Sequence, residues 1–141
     1  MRGDPFWICF DHDDDCRRAI GGAVTVWVSY RPAAFRVIRR TLKNFSKTKG
    51  VVRTFCSDCG TSVSYADTGL SDALYVTIGF LDRPDRFLPQ AHAYWRMRLP
   101  WITFGDDLPL VDGYSRSRDP AFGDPVDRNV IARPKGNTAT D

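Results

Sequence analysis

Two short segments concentrate the residue types that do chemistry. "ICFDHDDDCRR" (Ile8 to Arg18) sets Cys9, His12 and Cys16 among four aspartates, directly ahead of Arg17 and Arg18. "FCSDCGT" places Cys56 and Cys59 two residues apart, with Gly60 next. Thiolate, imidazole and carboxylate are the side chains that hold zinc, so the first question is whether these donors converge.

The Cys56/Cys59 pair admits three readings. A redox pair would normally open a helix, whose N-terminus lowers the first thiol's pKa, but the residues that follow alternate as a strand. Buried, inert cysteines account for the residue type but not for the spacing. A metal knuckle accounts for both: two thiolates on a tight turn can share one Zn²⁺, and Gly60 permits a left-handed backbone after the second. Tetrahedral zinc needs two further ligands, which turns attention back to the opening segment. There Asp11, Asp13 and Cys16 could form a three-ligand open site, or Asp13, Asp14 and Asp15 could form a solvated acidic turn at a helix start. A calcium loop is discarded, because the sixth position of "DHDDD…" lacks glycine and the twelfth lacks glutamate. Cys9 in "FWICF" reads as a buried strand residue, and His92 in "QAHAYW" as a hydrogen-bonded core histidine.

The elements that must carry these groups are mostly strands. "GGAVTVWVSYR" alternates Val24, Val26, Val28 and Tyr30 with Thr25, Trp27 and Ser29, the period of two that marks a half-buried strand. "FRVI", "LKNF" and "VVRTF" read as short strands of a meander, and "GTSVSYAD" and "DALYVTIGFL" (Asp72 to Leu81) as longer ones. Prolines at 84, 89, 100 and 109 leave little room for helix in the second half. One short helix is expected near Asp15, ended by Gly21 and Gly22. "RLPW" (Arg98 to Trp101) reads as a turn with a packed aromatic. From about Gly113 the chain is polar and rich in Pro, Gly, Asp and Arg, which predicts one domain over 6–113 and a flexible, disordered C-terminal tail over 114–141.

Composition narrows the function classes. The 141 residues are 43% hydrophobic and 13% aromatic, enough for a single core. A formal charge of +3 from 20 basic and 17 acidic side chains, with no long run of either sign, argues against a nucleic-acid partner. No apolar window is long enough to span a membrane, and the N-terminus lacks the pattern of a signal peptide, so a cytoplasmic location is expected. In a reducing compartment four cysteines are more often ligands, catalytic thiols or small core residues than disulfides.

"DHDDDCRRAIGGAV", "FCSDCGTSVSY", "LYVTIGFLD" and "PQAHAYWRMRLPW" resemble, in that order, the glutathione-dependent formaldehyde-activating enzyme family, also called the centromere protein V type domain. The resemblance covers about Phe6 to Gly113. It implies a mainly β, zinc-binding fold of short antiparallel strands similar to the Mss4 type. It also implies the addition of a thiol, glutathione, to an aldehyde such as formaldehyde, a carbon–sulfur lyase chemistry with small-molecule partners. Relatives carry an early C-x-C-G, then C-H-C-x-x-C-R-R, then C-x-x-C-G; the first and last pairs bind a structural zinc and the triplet a catalytic one. Carried over, Cys56 and Cys59 match the late pair, Cys16 the last triplet cysteine, and His12 the histidine inside it. Asp11 and Asp13 stand where relatives have cysteine, and Met1 lies too close for the early pair. Cys16 is thereby the expected catalytic residue, with Asp11 and Asp13 as substitute zinc ligands. The competing expectation is a zinc-stabilised β module, or a truncated relative, without catalysis. Arg17 and Arg18 could draw a substrate carboxylate or pair with neighbouring aspartates.

Overall fold

A computed structural model describes residues 3–38 and 41–116, and the backbone of 130 and 131. Among the described residues nine strands form one sheet. In chain order they are β1 (Trp7–Asp11), β2 (Thr25–Tyr30), β3 (Leu42–Phe45), β4 (Val51–Cys56), β5 (Ser62–Asp67), β6 (Leu74–Thr77), β7 (His92–Ala93), β8 (Leu110–Val111) and β9 (Val130–Ile131). Their spatial order is β3-β4-β5-β6-β2-β1-β7-β8-β9. Pairings are antiparallel except β1 with β7 and β7 with β8, which run parallel. The fold is mainly β, as expected.

Alternation on β1 and β2 sorts side chains between two cores. Cys9 and Trp27 face one side with Tyr75 and Ala93, and the half-buried Trp7, Tyr65, Tyr94 and Tyr114 pack on them. Ile8 and Val28 face the other with Tyr30 and Val76. The strand register opposes Cys9 to Trp27 and Ile8 to Val28, so both cores are built from the same two strands.

Among the described residues one α-helix forms, α1 (Asp14–Ile20), and it starts where its charges favour it. The Asp13 side chain accepts the Cys16 N–H at 2.9 Å as N-cap, Asp14 and Asp15 sit in the positive first turn, and Arg17 and Arg18 in the last. Gly21 ends it at φ 68°, donating its N–H to Arg17 O, a left-handed stop that a Cβ would strain.

Three expectations are corrected. "FRVI" forms no strand: Phe35 packs against the second core while Val37 and Ile38 are exposed, so the segment lacks a buried face for a pairing to protect. The run from Asp72 stays extended only to Thr77, because Ile78–Phe80 turn into a 3₁₀ helix. Trp101 is 71% exposed rather than packed; the aromatic held in that region is Trp95, over which the Arg98 guanidinium stacks at 4.4 Å. Of the stretch read as a tail, Ser115 and Arg116 are buried and Tyr114 packs on the first core, while Val130–Ile131 pair with β8. The rest of that stretch, 117–129 and 132–141, lies outside the described residues.

Candidate functional site

A cavity of about 600 Å³ opens beside the first core, within the size range of small-molecule sites. Its floor is β1 and β2, which present Trp7, Cys9, Asp11 and Trp27. One wall is α1 with Cys16; a second is the β3–β4 hairpin with Arg53; a third is the segment after β7 and β8 with Tyr94, Tyr114 and Arg116. Tyr94 adopts φ 52°, the only non-glycine residue at positive φ among the described residues. Its N–H donates to Gly113 O at 3.1 Å, and this contact offsets the cost of the left-handed backbone while turning the Tyr94 ring into the wall.

Asp11 is the buried carboxyl on the cavity floor. Its Oδ1 accepts the Asp13 N–H at 2.8 Å and its Oδ2 accepts the Trp27 indole N–H at 2.8 Å, and it is only 7% exposed. Burial pushes its carboxyl above the usual carboxylate range, with the Asp13 N–H and the Cys16 thiol pulling the other way. Burial, and then the Asp11 charge, push the Cys16 thiol well up, with Arg53 opposing. The same two causes push Cys9 up to about 12. Burial and a neighbouring carboxylate thus both favour the neutral thiol at Cys9 and Cys16. Burial also raises Tyr65, Tyr75, Tyr94 and Tyr114, so the wall is phenolic rather than anionic.

The segment after β8 seals the cavity. Arg116 donates from Nη1 and Nη2 to the two carboxylate oxygens of Asp72, at 2.8 and 2.7 Å, and from Nε to the Tyr75 hydroxyl at 3.0 Å. Ser115 Oγ accepts the Trp7 indole N–H at 2.9 Å. Sequence reasoning missed Arg53, Ser115 and Arg116 as cavity residues, and the aromatic wall with them. Trp7, Trp27, Tyr65, Tyr75 and Tyr94 lie on separate strands and turns, and no local spacing connects them.

The remaining candidates go elsewhere. His12 and His92 are fully buried on the other face of the sheet, with His12 Nε2 2.9 Å from His92 Nδ1 and Phe104 edge-on to both rings. His92 is a core histidine, as read. Arg17 donates to the carbonyls of His12 and Met97, both at 2.6 Å, and to Asp14 at 2.9 Å; Arg18 pairs with Asp14 at 2.8 Å. Both arginines are thus committed to holding α1. Cys56 is buried and Cys59 exposed on the turn after β4, none of the four cysteines is in a disulfide, and Gly60 takes φ 74° as the knuckle reading required.

A family model described as glutathione-dependent formaldehyde-activating enzyme matches residues 1–97. The chain belongs to that family. Among curated proteins none matches the chain.

Zinc, which the family resemblance implies, asks for three or four convergent donors. Among the described residues no group of three His, Cys, Asp or Glu side chains is placed to hold a metal ion. Asp11 is turned to the Trp27 indole and the Asp13 N–H, Asp13 Oδ1 caps the helix, and Cys56 and Cys59 bring only two donors. The residues described do not fit a zinc centre of the family's kind. No helix among them is long and apolar enough to cross a membrane.

Proposed function

We propose that this member of the glutathione-dependent formaldehyde-activating enzyme family makes and breaks the carbon–sulfur bond between a thiol of the glutathione class and a small aldehyde. The observation that carries the reading is Asp11: a buried carboxyl held by two N–H donors at the floor of a cavity large enough for a peptide thiol. In the forward direction the thiol sulfur attacks the carbonyl carbon, the C=O π bond becomes an alkoxide lone pair, and the S–H proton ends on that oxygen. The Asp11 carboxylate takes the proton from sulfur and returns it to oxygen, ending as it began. A carboxyl whose pKa burial raises is the better proton acceptor for the first half of that transfer.

Cys16 acts in this scheme through Asp11, as a protonated thiol beside the carboxylate, and not as a nucleophile. The aromatic wall gives the adduct an apolar surface to lie against. The uncatalysed addition is already fast, so the protein need supply only a few of the roughly 8 to 23 kcal/mol that enzymes commonly remove from a barrier. Four cysteines without a disulfide suit a reducing, cytoplasmic setting where such a thiol is abundant.

The experiment is NMR exchange spectroscopy of ¹³C-formaldehyde with glutathione. The wild-type protein should raise the exchange rate between aldehyde hydrate and S-hydroxymethyl adduct above that in buffer, and Asp11→Asn should lose that gain by tenfold or more. A wild-type rate no faster than buffer rejects catalysis and leaves the non-catalytic reading, which draws on the lack of a three-donor metal group among the described residues.

A further inference from the structure

We propose that Arg53 is the anion anchor of this cavity and receives the carboxylate of the thiol substrate; the assignment rests on the thiol–aldehyde reading above and names the substrate class more narrowly. Arg53 stands on β4 directly opposite Tyr65 on β5, and its guanidinium lies over the Tyr65 ring at 4.9 Å. Its Nη2 points to Cys16 Sγ at 3.6 Å, a long contact to a weak acceptor. Among the described residues no carboxylate pairs with it.

The other cations around the cavity are already committed. Arg116 forms a two-pronged pair with Asp72, Lys47 meets Asp15 at 3.1 Å, and Arg18 meets Asp14 at 2.8 Å. Arg53 is therefore the cavity guanidinium that, among the described residues, has no carboxylate partner. Stacking on Tyr65 fixes the plane of its fork without using its N–H donors, so it is set in advance for a bidentate carboxylate. On the acidic side of the cavity Asp15 is offset by Lys47, while Asp13 is turned to the helix cap and Asp11 to two N–H donors.

Cys16 touches both partners of the proposed reaction geometry. Its thiol interacts with Asp11 and receives Arg53, so the proton-transfer carboxyl and the anchor lie on either side of one sulfur atom. A substrate that spans them carries its thiol and its carboxylate within a few bonds of each other. The class is a short mercaptocarboxylate or the cysteinyl-glycine end of a peptide thiol.

The test compares 3-mercaptopropionate with its neutral amide, 3-mercaptopropanamide, by calorimetric titration of the full chain. The wild type should bind the carboxylate about tenfold or more tightly than the amide, the equivalent of one charge-assisted pair. In Arg53→Gln the ratio should fall to about one while the amide's affinity is unchanged; Arg53→Lys should keep part of the preference. An unchanged ratio in Arg53→Gln, or equal loss of both ligands, overturns the anchor and leaves the thiol reading standing. If neither thiol binds the wild type, the thiol reading itself is overturned and the anchor falls with it.

Discussion

His12 and His92 form a directional pair. His92 Nε2 faces both oxygens of Asp106 at 3.2 Å, so with Asp106 ionised that nitrogen carries the proton and donates. His92 Nδ1 is then an acceptor, and His12 Nε2 must be the N–H that fills it at 2.9 Å. The chain of tautomers leaves a bare lone pair on His12 Nδ1, the one ring nitrogen here that is buried without a partner. A partly exposed carboxylate thus fixes the state of an imidazole two links deeper in the fold.

That arrangement makes the fold sensitive to acid. Burial first, then His92, Arg17 and Arg98, depress the His12 pKa from 6.5 to about 4. The unfolded chain therefore binds a proton between these values that the folded chain refuses. The stability from neutral His12 is full above pH 6.5 and is lost as pH falls toward 4, on the order of 3 kcal/mol in all. Urea denaturation at pH 7 and at pH 4.5 should show a smaller acid loss in His12→Gln than in wild type. Equal losses would remove His12 from the account.

Asp72 and Arg116 should behave as a buried pair whose separation is costly. Their side chains are 1% and 6% exposed. Asp72→Ala strands a guanidinium in the core and is expected to cost about 3–5 kcal/mol, whereas Asp72→Leu combined with Arg116→Met should recover most of it. Chemical denaturation of the two variants beside wild type measures this, and a loss under about 1 kcal/mol in Asp72→Ala would show that Arg116 does not hold the cavity wall.

What sequence reasoning could and could not see follows from the range of the interactions. β2 was legible because Val26, Val28 and Tyr30 alternate with Thr25, Trp27 and Ser29, the pattern of a strand paired on both sides, with β1 and β6. α1 was legible because its cap, its charges and its glycine stop lie within nine residues. "FRVI" misled because four apolar-rich residues carry no sign of whether a partner strand exists. Arg116 was invisible for the opposite reason. It sits in a polar stretch, and the bidentate contact that orders it comes from Asp72, 44 positions away. Asp11 was found, but as a metal ligand; that Trp27 across the hairpin would occupy its oxygen could be learned only from the pairing of β1 with β2.

Chelation should leave the protein folded. A structural zinc site is worth about 10–16 kcal/mol of folding free energy in small domains, so its removal could not pass unnoticed. Because no three donors converge among the described residues, dialysis against EDTA should move the melting temperature by no more than a degree or two, and Cys56→Ser should do little more. Elemental analysis finding stoichiometric zinc, together with a collapse in melting temperature on chelation, would show that the donors are completed in a way the described residues do not reveal.

Asp11 offers the most direct link between stability and catalysis. Its folded pKa is raised, chiefly by burial, so between its unfolded value near 3.9 and the folded value the native chain holds a proton that the unfolded chain releases. Stability from this group is complete below pH 4 and declines as pH rises through the folded value, by about 1.4 kcal/mol per pH unit inside that window. Asp11→Asn cannot titrate. The stability difference between wild type and variant should therefore shift toward the wild type as pH is lowered from 7 toward 4. The exchange rate with formaldehyde and glutathione should change over the same interval, because a single carboxyl governs both. A difference that stays constant with pH would mean that Asp11 ionises as an ordinary carboxylate, and the proton transfer would then need another residue.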